Sequence, residues 1–198
     1  VLEPSPARQE PDCPYFAQCG GCRFRHMTYE EELSAKRQRV EDALRRIGGL
    51  DLPVSEIYGA QAPDRYRNKA QFPVCPGPKI GFYQARTHAV TDVADCLLQR
   101  EPAMRLRAAA KAWMERYRIP AYRERSGDGL VRHVYVRTSR AGDSLFCLLV
   151  NGTGVPHEDE LVRMLREAEP GLTGGVLGSN EKKSNVILGD RYRTLWGR

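Results

Sequence analysis

The sequence predicts an α+β fold in which antiparallel sheet hairpins carry packed helices and a cysteine-ligated iron–sulfur loop. Three observations lead to this prediction. Short alternating or apolar segments recur after Pro53, helical periodicity appears in three separate segments, and three cysteines cluster within residues 13–22. Strands in hairpins with interspersed helices are typical of α+β domains, and clustered cysteines in a chain without an export signal indicate metal or redox chemistry.

The composition is that of a globular protein of 198 residues, with 41% hydrophobic and 28% charged residues. No apolar run approaches the roughly 20 residues that cross a bilayer, and residues 1–6 lack the basic and apolar regions of a secretory signal. We therefore expect a cytoplasmic monomer without membrane contact. The net charge of +6 fits a polyanionic partner without requiring one.

The chain begins with a predicted extended lead-in over residues 1–12. Residues 13–50 combine the cysteine loop with a basic amphipathic helix, which starts at a capping box of Thr28 and Glu31 and stops at Gly48-Gly49. Helical spacing gives this helix an apolar face of four residues, Leu33, Val40, Leu44 and Ile47.

Residues 51–198 form the predicted α+β central domain. Strands are predicted at residues 70–74, 79–83, 88–93, 131–139, 145–150, 175–178 and 185–188. Helices are predicted at residues 102–117 and 158–168. The alternation of residues 131–139 places His133 and Arg137 on a polar side, opposite Val134 and Val136, and Arg132 is also expected to be polar surface.

The strongest motif is Cys13-x5-Cys19-Gly20-Gly21-Cys22. Thiolates are the soft ligands of iron–sulfur clusters and of zinc. The two glycines allow the chain to curl so that Cys19 and Cys22 face one centre. A zinc knuckle and a redox pair remain alternatives, although the sequence shows neither a second C-x-x-C nor the βαβ context of thioredoxin-type pairs.

Three thiolates do not close a metal site, so a fourth ligand is expected from Cys75, Cys96, Cys147 or His26. Cys96 follows a predicted strand in a loop that is free to bend. Cys147 lies in an apolar run and is expected in the core. Cys75 precedes Pro76 and is expected in an exposed turn.

Candidate RNA contacts concentrate in residues 65–69. This segment combines cations for phosphates, an amide for a base edge and an aromatic ring for stacking: Arg65, Tyr66, Arg67, Asn68 and Lys69. Phe82 and Tyr83 are candidate stacking residues, and Arg132 and His133 are candidate contacts on their strand. The alternatives are a solvated loop, core aromatics and an ordinary surface face.

The cysteine block and the segments 66–69 and 81–83 resemble the iron–sulfur branch of the 23S ribosomal RNA uracil-5 methyltransferases. The similarity continues through Cys96 to residues 194–197. This resemblance implies ribosomal RNA as the partner. It also implies a 4Fe-4S cluster held by Cys13, Cys19, Cys22 and Cys96. Arg25 stands where that family often has Gln, but this position is not a ligand.

The resemblance also implies a central domain that ends before a Rossmann-like methyltransferase domain. In that family, S-adenosylmethionine binds a glycine-rich turn of the Rossmann-like domain, and a cysteine there attacks C6 of a flipped-out uridine. Residues 152–154 do not lead into such a helix. We therefore assign no catalytic and no S-adenosylmethionine-binding residue here, and expect this chain alone to be inactive. The alternative is a standalone cysteine–metal RNA-binding module.

Overall fold

The computed structural model describes residues 3–183 and 186–197. The chain divides into two compact units, the first made of Val1–Ala17 and Cys22–Pro63, and the second of Gln18–Gly21 and Asp64–Arg198. None of the helices in the described parts of the chain combines the length and the apolar character that crossing a membrane requires.

The first unit is built on helix α1, Tyr29–Arg46. The predicted capping box is confirmed at its N-cap, where the Thr28 hydroxyl accepts a hydrogen bond from the Glu31 amide at 3.3 Å. The predicted apolar face is not buried, since Val40 is 50% exposed. The chain after the helix is held to it by polar contacts, and the Ala60 amide donates to the Tyr29 hydroxyl at 2.7 Å.

The second unit contains a seven-stranded sheet with the strand order β3-β2-β1-β4-β5-β6-β7. The strands are β1 Lys69–Cys75, β2 Lys79–Tyr83, β3 Val90–Asp92, β4 Val131–Thr138, β5 Ser144–Val150, β6 Leu172–Ser179 and β7 Arg191–Gly197. Two helices complete the unit, α2 Glu101–Arg116 and α3 Glu158–Ala168. The mixed α+β class is therefore confirmed.

The expectation of an antiparallel sheet is wrong at one pair of strands, because β5 and β6 are parallel. The physical reason is α3, which connects the end of β5 to the start of β6 as a crossover between parallel strands. This β5–α3–β6 segment is a βαβ unit, which the sequence had not indicated. Cys19 and Cys22 lie outside it.

The core lies between one face of the sheet and α2. Side chains alternate across a strand, so the even-numbered residues of β1 and β4 share the buried face. Ala70, Phe72, Val134 and Val136 are at most 1% exposed there. On α2, Trp113 is fully buried and its indole nitrogen donates to the His157 carbonyl at 3.1 Å.

The last strand is not where the sequence predicts it. Residues 186–188 form no strand, and Ser184 and Asn185 lie outside the described residues. The chain instead adds β7 at the sheet edge. Its first four residues are exposed and two of them are arginines, so the sequence lacks the apolar signal of an internal strand.

Candidate nucleic-acid interface

Odd-numbered residues of β1 and β4 lie on the sheet face opposite the buried, even-numbered one. The antiparallel register brings them together in three successive pairs: Lys69 with Arg137, Gln71 with Tyr135, and Pro73 with His133. We call this row of three pairs the odd-face stripe. It places cations, an amide, an aromatic ring and an imidazole along one line of about 13 Å.

The first pair of the stripe sets two cations directly opposite each other. Lys69 and Arg137 are both exposed, and neither forms an ion pair with any residue that the structure describes. The Arg137 Nε donates to the Tyr135 hydroxyl at 3.1 Å, which orients the guanidinium over the sheet. Like charges directly opposite destabilise a strand pair, and a bound phosphate would relieve that repulsion.

The Arg65 side chain makes its contacts within the fold. Its guanidinium forms a two-pronged ion pair with Asp95, at 2.8 and 2.7 Å, and its Nη1 also donates to the carbonyls of Cys96 and Gln99. The hydrogen bond from Arg65 lowers the pKa of Asp95. Both terminal nitrogens of Arg65 are thus engaged within the fold, and the phosphate contact at Arg65 stays a prediction.

The other residues of the segment 65–69 face solvent to different degrees. Tyr66 is 55% exposed, and the Arg67 guanidinium lies 6.0 Å from the centre of its ring. Asn68 has an exposed side chain, while its carbonyl accepts a hydrogen bond from the Thr138 amide at 2.9 Å. The loop thus offers an aromatic ring and an amide next to Lys69.

Phe82 and Tyr83 point to opposite faces of the sheet. Phe82 shares the face of Ile80 and packs on the Phe72 ring, with ring centres 5.2 Å apart, so it belongs to the core rather than to an RNA surface. Tyr83 lies on the other face and is half-buried. Burial and the nearby Glu124 carboxylate raise the pKa of Tyr83 to about 12, so its hydroxyl remains protonated.

Arg132 and His133 are not surface residues, because each is only 5% exposed. For Arg132 the reason is a β-bulge. Val131 pairs with Val150 and His133 with Leu149, which leaves Arg132 as the extra residue of β4. A bulge breaks the alternation of side chains at Arg132. His133 keeps the predicted face with Tyr135 and Arg137, but that face is buried at this end of the strand.

Arg132 is engaged inside the fold. Its Nη1 donates to the carbonyls of Asn180 and Lys182, at 2.7 and 2.9 Å, and its guanidinium stacks 4.4 Å from the centre of the Tyr122 ring. These contacts order the loop after β6. Sequence reasoning also missed Tyr122 and its neighbour Glu124; the alternating charges of residues 123–125 were the available signal.

None of the predicted cluster ligands forms a disulfide within the described residues, and all are partly exposed. Cys13 and Cys22 belong to the first unit, and Cys19 and Cys96 to the second. Within residues 3–183 and 186–197, no group of three or more His, Cys, Asp or Glu side chains is arranged to hold a metal ion. The four-cysteine site therefore stays a prediction.

The Cys19 turn is tightly placed within the second unit. The Gly20 amide donates to the Tyr83 carbonyl at 2.9 Å, and a Cβ at Gly20 would lie 2.8 Å from that oxygen. The Gly21 amide donates to the Cys19 sulfur at 3.4 Å. Such amide donation to sulfur is a feature of iron–sulfur sites.

The other candidate ligands are less suited to binding metal. Burial raises the pKa of the Cys147 thiol to about 11, and burial also raises the pKa of Cys75. A raised pKa disfavours the thiolate that a metal requires. Cys75 is half-buried at the end of β1 rather than exposed in a turn, and His26 packs against the Phe16 ring.

Comparison with known proteins finds relatives along the whole chain. A protein of Clostridium tetani named "Uncharacterized RNA methyltransferase" is 39% identical over 202 residues, which cover 100% of this chain and 44% of the relative. A protein of the same description from Halalkalibacterium halodurans is 37% identical over 202 residues, with the same coverage. The chain thus spans less than half the length of these curated relatives. No family model matches it.

A solved structure shares the fold. The crystal structure of Pyrococcus abyssi tRNA (uracil-54, C5)-methyltransferase in complex with S-adenosyl-L-homocysteine matches with a TM-score of 0.74 at 19% identity. The match covers 98% of this chain and 42% of that protein. The chain therefore has the fold of one segment of that enzyme, and its sequence is similar to a part of proteins named RNA methyltransferases.

Proposed function

We propose that the chain is the cluster-bearing, RNA-contacting portion of an S-adenosylmethionine-dependent 23S ribosomal RNA uracil-5 methyltransferase. Relatives named RNA methyltransferases support an RNA substrate. The likeness to a segment of a tRNA uracil-5 methyltransferase supports the type of enzyme. The cysteine pattern favours the ribosomal, iron–sulfur branch over the transfer RNA branch.

The odd-face stripe is the observation that carries the RNA-binding part of the proposal. Its exposed Lys69 and Arg137 supply the positive charge that phosphate contacts use. Tyr66 and Asn68 add a ring and an amide beside it, which suits unpaired nucleotides better than a regular duplex. The stripe lies on a rigid sheet, so its groups are held in place before RNA arrives.

The cysteines present fit the proposed cluster as a donor set. Cys13, Cys19, Cys22 and Cys96 form no disulfide in the described parts of the chain. The Gly21 amide already donates to the Cys19 sulfur, and Arg65 orders the Cys96 backbone. When bound, a [4Fe–4S] cluster would supply a fixed crosslink among these side chains. We propose a structural rather than a redox role, since uracil-5 methylation requires no electron transfer.

Catalysis is proposed to lie in the part of these proteins that this chain does not span. The described residues offer no candidate for the cysteine nucleophile, because Cys147 and Cys75 have raised thiol pKa values. S-adenosylmethionine is accordingly proposed as a cofactor of the parent protein only. This chain positions RNA for that reaction.

The RNA target is tested by measuring the affinity of the chain for fragments of 23S ribosomal RNA and for transfer RNA transcripts at one salt concentration. We expect tighter binding to a ribosomal fragment that contains unpaired uridines. Equal or tighter binding to transfer RNA would contradict the ribosomal assignment.

The cluster is tested by iron and sulfide analysis after anaerobic purification. We expect about four iron and four sulfide per chain. Cys96→Ala should lose them, while Cys147→Ala serves as the matched control and should retain them. Stoichiometric zinc without iron would instead support the second candidate, a standalone module in which zinc shapes an RNA-binding surface.

A further inference from the structure

A cavity lies at the inner end of the odd-face stripe. It has a volume of about 520 Å³, and its lining includes Cys75, Tyr83, Tyr122 and His133, together with the exposed Arg123 and Arg125. All of these residues belong to the second unit. The volume lies within the range of about 300–1,000 Å³ that small-molecule sites occupy.

His133 is the polar group that this cavity leaves unexplained. Its side chain is 5% exposed, and neither ring nitrogen has a hydrogen-bond partner among the described residues. Buried polar groups nearly always have a partner. Burial, together with the Arg132 charge, lowers the pKa of His133 to about 4. The ring is therefore neutral and offers one donor and one acceptor.

Tyr83 gives the cavity an aromatic wall that is already fixed in orientation. The edge of its ring meets His88, with ring centres 5.9 Å apart, and its hydroxyl lies 3.5 Å from the Glu124 carboxylate. His88 holds the other oxygen of Glu124 at 2.9 Å. A half-buried tyrosine held in this way is a suitable platform for an unpaired base.

We infer that this cavity takes one unpaired nucleobase of single-stranded RNA, which stacks on Tyr83 while its polar edge meets His133. Arg123 and Arg125 would contact the flanking phosphates. The inference rests on the proposed function, since the cavity continues the stripe that begins at Lys69 and Arg137. His133 reaches this position from the regular register opposite Pro73, on the same sheet face as Tyr135 and Arg137.

The first test uses uridine 5′-monophosphate as probe and the histidine ring signals of the full chain in NMR. We expect the His133 signal to shift on titration, and the His157 signal, whose ring stacks on Tyr117, to stay in place. Inorganic phosphate should leave His133 unmoved. The inference is overturned if the His133 signal does not shift with the nucleotide, or if phosphate alone shifts it equally.

The second test measures the affinity of fluorescein-labelled hexauridylate for three variants. Tyr83→Leu removes the stacking ring and should weaken binding roughly fivefold or more. His133→Phe keeps a ring of similar size, removes both nitrogens, and should also weaken binding. Tyr58→Leu makes the same change at an exposed tyrosine outside the cavity, is the matched control, and should bind like the wild type. Unchanged affinity in both Tyr83→Leu and His133→Phe overturns the inference.

The two proposals fail in different ways. If Lys69→Ala with Arg137→Ala weakens hexauridylate binding while the cavity variants do not, the stripe binds RNA and the cavity inference is wrong. If the nucleotide shifts His133 but the double variant binds RNA as the wild type does, the cavity inference stands and the proposed RNA surface is wrong.

Discussion

Arg65 holds Asp95 through both terminal nitrogens of its guanidinium, at 2.8 and 2.7 Å, although the two residues are 30 positions apart in the sequence. The same side chain donates to the Cys96 carbonyl at 2.8 Å. The Arg65 backbone has a φ of 54°, which a residue with a side chain rarely adopts. The turn that carries Cys96 is therefore ordered by a distant charged contact.

The Arg65 contact predicts the effect of a conservative change. Arg65→Lys keeps the charge but removes the planar fork, so the Cys96 turn should loosen and the affinity for iron should fall roughly tenfold or more. Iron retained per chain after a chelator challenge measures the effect. Arg67→Lys, in the same loop, is the control and should retain iron. Equal retention of iron by both variants would show that the contacts of Arg65 with Asp95 and Cys96 do not support a cluster.

The opposed cations of the stripe predict a salt effect. Lys69→Ala with Arg137→Ala should weaken RNA binding and make the slope of log affinity against log salt shallower by roughly one to two. Affinities at several salt concentrations measure this slope. Arg45→Ala with Arg46→Ala removes the same charge from the last turn of α1 and should change the slope less. Identical slopes for both pairs would mean that only net charge matters.

His133 predicts a pH dependence of stability. Its pKa is lowered from the ordinary histidine value of 6.5, which the unfolded chain has, to about 4 in the folded chain. Between these values the unfolded chain binds a proton that the folded chain does not, so stability falls as pH drops from 6.5 to 4. Relative to His133→Phe, the wild type should lose about 2 kcal/mol between pH 6.5 and 5. Urea unfolding of both proteins measures this, and parallel profiles would contradict it.

Gly20 predicts which glycine of the motif the fold requires. A Cβ at Gly20 would lie 2.8 Å from the Tyr83 carbonyl and 3.0 Å from the Ala85 amide, both of them backbone atoms. Gly20→Ala should therefore destabilise the chain by about 1–3 kcal/mol. Gly21→Ala is the control, because its nearest neighbour is the Cys19 sulfur at 3.3 Å. Equal thermal stability of the two variants would count against this prediction.

Local sequence signals predicted the elements that depend on local chemistry. Helix α3 and strand β2 have the predicted bounds, and the N-cap of α1 is the predicted one. The parallel pairing of β5 and β6 was not predictable, because register depends on packing between distant segments.

The candidate site was only partly predictable for the same reason. A bulge at Arg132 breaks the alternation there, and His133, although it lies on the predicted face, is buried. The partners of Arg65 lie too far along the chain for a local pattern to indicate them. Lys69 and Arg137 were recognisable as cations, but not as neighbours.

The pairing of β1 with β4 has a consequence for the order in which the second unit folds. β4 and β5 are joined by a tight turn, and β6 follows through α3. The neighbour of β1 on that side is β4, which is made only after roughly sixty further residues. Contacts between distant segments form slowly. During synthesis, β1 can pair at once with β2, but its other edge stays open, and Phe72 lacks its cross-strand partner Val134 until β4 appears. The RNA surface, which needs both strands, is completed only then.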